Sequence, residues 1–97
     1  MTIQILDKAE DDLVHAVQFY EMQQPGLGSY FLESLFADME SLQVHGGVHR
    51  VVYRNYHRAL AKRFPFAIFY TLSGDTVFVH AVVDCRRKPA WITKHLK

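Results

Sequence analysis

The sequence predicts an α+β domain: an N-terminal strand and an αα-hairpin packed on a twisted, largely antiparallel sheet, with a short C-terminal helix. Three observations predict it. Apolar residues recur at helical intervals from Ala9 to Leu42, the pattern becomes β-branched and aromatic after Val44, and the formal charge changes sign near the same place. Residues 1–40 carry eight acids against Lys8 alone, a net of −7, and residues 41–97 carry ten bases against Asp75 and Asp84, a net of +8. The overall charge of +1 averages these two unlike halves. Such an asymmetry points to an acidic or polyanionic partner for the basic half, or to an acidic helical face beside a solvated basic sheet.

Each element has its own signal. Thr2 to Leu6 alternates, with Ile3 and Ile5 against Gln4, and reads as a strand. Asp7 and Glu10 have capping-box spacing, and Ala9, Leu13, Ala16, Val17 and Tyr20 follow at helical intervals, so a helix runs from about Lys8 to Gln23. Asp11 and Asp12 lie in its first turns, where the helix dipole favours negative charge. Gln24-Pro25-Gly26-Leu27-Gly28 breaks it, because proline cannot continue a helix and two glycines permit a tight reversal. In the second helix Phe31, Leu35, Met39 and Leu42 line one face, and His45-Gly46-Gly47 ends it. Val51 to Tyr53 is β-prone, with its state left open by the pattern. His57 to Phe64 and Phe66 to Leu72 read as strands, Ser73-Gly74-Asp75 as a hairpin turn, and Thr76 to Asp84 as a central strand buried on both faces. Pro89 opens a short helix carrying Trp91, Ile92 and Leu96.

Composition excludes several classes. At 97 residues the chain is expected to form one domain, residues 1–97, large enough for a core without disulfide or metal staples. Its one cysteine, Cys85, cannot form an internal bridge and suits a reducing compartment. There is no apolar run of the roughly 20 residues a membrane span needs, and no basic and apolar leader pattern, so a cytoplasmic location is expected. Six histidines occur without CxxC or HExxH spacing, so no metal is predicted; His45 and His49 fall on a loop. No phosphate-cradling glycine loop appears, and no cofactor is expected. The cations beside Cys85 would favour its thiolate.

Four segments together carry a family resemblance over nearly the whole chain: Ala9 to Tyr20, read as A-x-x-D-L-x-x-A-x-x-F-Y; Gln24-Pro25-Gly26-Leu27-Gly28 followed by Phe31; Arg63 to Tyr70, RFPFAIFY; and Val79 to Trp91, containing Arg86-Arg87-Lys88-Pro89. In this order and spacing the chain resembles the RelE/ParE superfamily of type II toxin–antitoxin toxins, in particular its ParE-like branch, which includes plasmid-stabilisation proteins. The resemblance implies a helical hairpin on a twisted antiparallel sheet, a cognate antitoxin that wraps the toxin, and growth arrest through a cytoplasmic target. Operator DNA would be contacted only through the antitoxin.

The target divides within the superfamily. RelE-like members resemble ribonucleases that cut messenger RNA on the translating ribosome, whereas ParE-like members poison DNA gyrase and have no known hydrolytic site. RNA cleavage through the 2′-hydroxyl needs a proton acceptor, a proton donor and cations around the phosphorane. Aligned on FAIFY, Ala67 stands where a RelE-like toxin carries a catalytic arginine, and no tyrosine follows the retained Arg86. The resemblance therefore leans away from an enzyme and toward gyrase. In the ribonuclease alternative the candidate set is Arg86, His80, Tyr70 and Arg63; a third alternative is a degenerate toxin that only binds antitoxin. His80 in its apolar strand also reads as a satisfied sheet histidine, and Tyr70 as core. For a binding protein, Arg86, Arg87, Lys88 and Trp91 are the expected target contacts, and Phe19, Tyr20, Arg58 and Lys62 the expected antitoxin contacts.

Overall fold

The computed structural model describes residues 1–97. The elements are β1 (Thr2–Ile5), α1 (Asp7–Gln23), α2 (Leu27–Glu40), α3 (Leu42–His45), β2 (Val51–Tyr53), β3 (Tyr56–Leu60), β4 (Phe66–Ser73), β5 (Thr76–Asp84) and α4 (Pro89–Leu96). The five strands form one sheet in the order β1-β5-β4-β3-β2. The α+β class and the hairpin-on-sheet arrangement are as the sequence predicts. The sheet is mixed, however: β1 pairs with β5 in parallel, Ile3 beside Val77 and Ile5 beside Val79, while the other pairings are antiparallel. An alternating four-residue strand specifies which face it buries, not the direction of its neighbour.

Local chemistry explains most boundaries. α1 starts without the expected capping box. Leu6, in extended conformation, is its N-cap and accepts the Glu10 N–H at 3.0 Å, so Asp7 falls inside the first turn and contributes through the dipole alone. Between the helices Gly26 takes φ 90°, a left-handed value that glycine adopts freely. Gly28 is buried where a Cβ would lie 2.8 Å from the Val17 carbonyl oxygen, so glycine lets α2 approach α1 closely. The Glu21 carboxylate accepts the N–H groups of both glycines at 3.0 Å. Strand β3 stops at Leu60, four residues before the predicted end, because residues 61–65 turn through Lys62 and Pro65. The Lys62 N–H there donates to buried Asp38 at 3.1 Å.

The sheet has a core on each face. On one, Leu13, Phe31, Leu35 and Met39 of the hairpin meet Ile68, Tyr70, Val77, Val79 and Val82. On the other, α4 places Leu96 and Ile92 against Ala67, Phe69, Ala81 and Val83. Strict alternation cannot put Val79 and Val82 on one face and Ala81 on the other. A register shift does so: Tyr70 lies opposite Val79 and Phe69 opposite Ala81, leaving His80 as the extra residue of a bulge. His80 shares a 2.8 Å hydrogen bond with Thr71 and meets Tyr56 edge-on.

Tyr70, fully buried, holds the loop before β2. Its hydroxyl accepts the Gly47 N–H at 3.1 Å and donates to His49 Nδ1 at 2.8 Å. The His57 ring stacks on it at 4.9 Å and donates through Nδ1 to the His49 carbonyl at 2.7 Å. Tyr70→Phe strands both partners of that hydroxyl and is expected to cost about 1–2 kcal/mol in urea denaturation, with little change in far-UV circular dichroism.

Burial lowers the pKa of His49 and His80; at His49 the neighbouring His57 and His45 lower it further. Unfolding returns both to water, where they protonate near pH ~6.5. The unfolded chain then binds more protons, so stability present above that pH is lost as pH falls through it. The melting temperature should decline below about pH 6.5, and a His49→Gln, His80→Gln double variant should decline less steeply over that interval.

Candidate functional site

A concavity of about 410 Å³ opens between α1, the end of β5 and α4. Helix α1 contributes Asp12, His15 and Phe19 from one side, spaced three and four apart, with Tyr20 beside them. Val82 and Asp84 close the β5 end, Phe66 lies at the floor, and Arg86, Arg87, Trp91 and His95 form the far wall.

That wall is ordered by stacking. The Arg87 guanidinium lies 4.4 Å over the Trp91 ring, and Trp91 stacks on His95 at 4.8 Å with 12° between planes. Residues 87, 91 and 95 are four apart, so the short helix presents them in one column. The column ends on α1, where His95 Nε2 donates to Asp12 Oδ1 at 2.9 Å. The other carboxylate oxygen accepts the Val82 N–H at 2.9 Å, just past the bulge. Lys8 Nζ also donates to the His95 carbonyl. Burial raises the Asp12 pKa, and Val82, His95 and Lys8 pull it back.

Across the cleft, Arg86 closes on Asp84: Nε and the backbone N–H each donate to Oδ1 at 2.9 Å, and a guanidinium nitrogen to Oδ2 at 2.5 Å. These bonds hold Asp84 below the usual carboxylate range and raise Arg86 above the ordinary arginine value. Burial raises the Tyr20 phenol. It also raises the Cys85 thiol, outweighing the neighbouring cations, so the thiolate that Arg86 and Arg87 would favour is not stabilised. Arg87 and His15 have no carboxylate partner.

The sequence-predicted residues distribute as follows. Arg86, Arg87, Trp91, Phe19 and Tyr20 converge on this one cleft, although the sequence assigns them to two different partners. Lys88 is exposed beside it, as the N-cap of α4. Arg58 and Lys62 are exposed on β3 and the following turn, outside the cleft. Of the alternative catalytic set, only Arg86 lines it. Tyr70 is buried under the loop at Gly47, His80 is bonded to Thr71, and the Arg63 guanidinium lies 6.0 Å over the Tyr30 ring. Ala67 is buried against α4.

Sequence reasoning missed Asp12, His15 and His95 as site residues. A signal for Asp12 existed: it stands three after Ala9 and four before Ala16, on the buried stripe of α1, where a carboxylate needs a partner. Nothing comparable marks His15 or His95. The cleft combines aromatic walls with two carboxylates already paired.

A second apolar surface lies on the outside of the hairpin. Val14, Val17, Leu32 and Phe36 line a groove between α1 and α2, edged by Glu10 and Gln18.

Removing Asp12 tests the column. Asp12→Ala leaves the Val82 N–H and His95 without their acceptor and should cost about 1–3 kcal/mol, with faster hydrogen exchange at α4 amides. Asp12→Asn keeps an acceptor for Val82 and should lose less.

No protein-family model matches the chain, and no curated protein matches it. Among solved structures, a chain of the chromosomal ParDE TA system from P. aeruginosa superposes with a TM-score of 0.78 at 17% identity, over 87% of this chain and 95% of that one. No helix here is long and apolar enough to cross a membrane. At that identity the likeness is one of architecture, and the chain has the ParE-like α+β fold.

Proposed function

We propose that the chain is the toxin of a type II toxin–antitoxin pair, acting in the cytoplasm by binding and poisoning DNA gyrase and neutralised by a cognate antitoxin. The observation that carries this reading is the ParE-like fold together with the residue at position 67. Where a RelE-like ribonuclease would carry a catalytic arginine, this chain has an alanine sealed into the core under α4. A methyl group cannot stabilise a phosphorane. The retained Arg86 is already bound to Asp84, and one of the two histidines in the cleft, His95, is bound to Asp12.

The target contact is assigned to Arg86, Arg87, Lys88 and Trp91, at the cleft and its rim. The apolar groove on the hairpin suits an apolar stretch of an antitoxin, and Arg58 and Lys62, on β3 and the turn after it, offer a charge complement to an acidic stretch of it. Binding energy at either surface would come from desolvated aromatic anchors, while exposed cations set the association rate.

Purified protein is expected to inhibit gyrase supercoiling and to trap the gyrase cleavage complex. Replacing Arg86, Arg87 and Lys88 together by alanine should abolish growth arrest on overexpression while the protein stays folded, because all three side chains are exposed. Absence of inhibition at saturating protein would defeat the gyrase assignment. Toxicity that persists in the folded triple variant would defeat the site. Cuts in translated messages that disappear with Arg86→Ala would favour the ribonuclease instead.

A further inference from the structure

We propose that the cleft between α1 and α4 is a docking site for a protein segment that presents an apolar or aromatic side chain next to a carboxylate, and that it does not take nucleic acid. The proposal deepens the reading of the chain as a protein that acts by binding, and it concerns the chemistry of the occupant.

The charge balance of the cleft decides between the two classes of ligand. Its fixed charges are two arginines, Arg86 and Arg87, and two carboxylates, Asp12 and Asp84. Arg86 is saturated by Asp84 in a two-pronged contact, and Asp12 is held by His95 and the Val82 amide. A phosphodiester entering here would find one free arginine, the unpaired His15 and two fixed carboxylates. Nucleic-acid affinity grows with the number of phosphates neutralised, and this cleft can neutralise about one.

A peptide meets a better match. Phe19 on α1 and Trp91 on α4 face the space from opposite walls, and they remain 54% and 38% exposed despite their size. Met22, 85% exposed, stands one turn beyond Phe19 on the same helix. The volume falls within the roughly 300–1,000 Å³ range of sites that enclose a compact ligand. Aromatic walls with an arginine at the edge are the composition of protein–protein hot spots. Arg87 lies flat on Trp91 with no carboxylate of its own, so its donors are free for an incoming one. His15, likewise without an acidic partner, is a second donor on the opposite wall.

Trp91 is the only tryptophan in the chain, so its indole resonance reports on the cleft without labelling chemistry. The protein would be titrated, by nuclear magnetic resonance, with three probes: a blocked pentapeptide of alternating aspartate and phenylalanine, the same peptide with lysine for aspartate, and a dodecamer of thymidylate. The acidic peptide is expected to shift the Trp91 indole and the Phe19 amide in a saturable way, and the lysine peptide to bind at least about tenfold more weakly. Arg87→Ala should weaken the acidic peptide by about tenfold, the loss of one charge-assisted contact, and Phe19→Ala should do so without altering charge. Both side chains are exposed, so a dispersed spectrum confirms that each variant is folded.

No shift with the acidic peptide, equal binding of both peptides, or a stronger response to the thymidylate dodecamer would overturn the proposal. A Trp91 shift that follows protein concentration alone would also overturn it, by identifying a second copy of the chain as the occupant. Supercoiling measured on the same preparations separates the two readings. Peptide binding without inhibition defeats the gyrase assignment alone, and inhibition without peptide binding defeats the docking chemistry alone.

Discussion

One carboxylate holds together three elements that are distant in sequence. Asp12 on α1 accepts the Val82 amide of β5 through one oxygen and the His95 ring of α4 through the other. The hairpin and the last helix lie on opposite faces of the sheet, and this residue joins them around its end. Burying a carboxylate is costly unless its lone pairs are occupied, and here both oxygens are. The cost shows in the raised pKa of Asp12, led by burial; the compensation shows in the contributions that pull it back. Without this tie, α4 would be held by Ile92, Leu96 and the bonds from Lys8 and Tyr56 to its last carbonyls, and the Arg87–Trp91–His95 column would lose its side-chain anchor.

The bulge at His80 is the second half of the same constraint. It turns Val82 onto the hairpin face and Ala81 and Val83 onto the α4 face, so β5 can serve two cores in succession. The Val82 amide reaches Asp12 two residues past the inserted histidine. An unbulged β5 would put Ala81 and Val83 under the hairpin and turn Val82, between His80 and Asp84, toward α4. The bulge therefore creates both the second core and the place where the cleft forms, as bulges near sites commonly do by re-aiming side chains.

Much of this was legible in the sequence, for physical reasons that also set the limit. The hairpin helices were readable because long segments repeat their apolar stripe, and β5 matched from Thr76 to Asp84 because an apolar run bounded by a Ser-Gly-Asp turn has few alternatives. The β2–β3 hairpin was not resolved: its turn, Arg54-Asn55, contains no glycine, and the left-handed residue is Arg54 at φ 50°. Parallel pairing of β1 leaves no trace in a strand of four residues. The cleft was half legible. Arg86, Arg87, Trp91, Phe19 and Tyr20 stood out by type, but their convergence depends on a bulge and on contacts more than 60 residues apart in sequence, which spacing along the chain does not encode.

The opposite charges of the two halves also acquire a specific meaning in three dimensions. Few of them pair across the molecule: beyond the N-terminus with Asp75, the ion pairs are Arg86 with Asp84 and His95 with Asp12, both in the cleft. Glu10, Asp11 and Glu33 on the hairpin and Arg58, Lys62, Arg63, Arg87 and Lys88 on the other half remain exposed without carboxylate or cation partners. Exposed charge of this kind adds little to folding stability and acts at a distance, over about 8 Å at physiological ionic strength. It would draw an acidic partner toward the sheet and tail and repel it from the hairpin, while the cleft at the seam, with Arg87 as its one unpaired cation, would hold a partner mainly by aromatic contact. Steering and holding thus fall to different residues, so rim cations should govern how fast a partner arrives and Phe19 and Trp91 how long it stays.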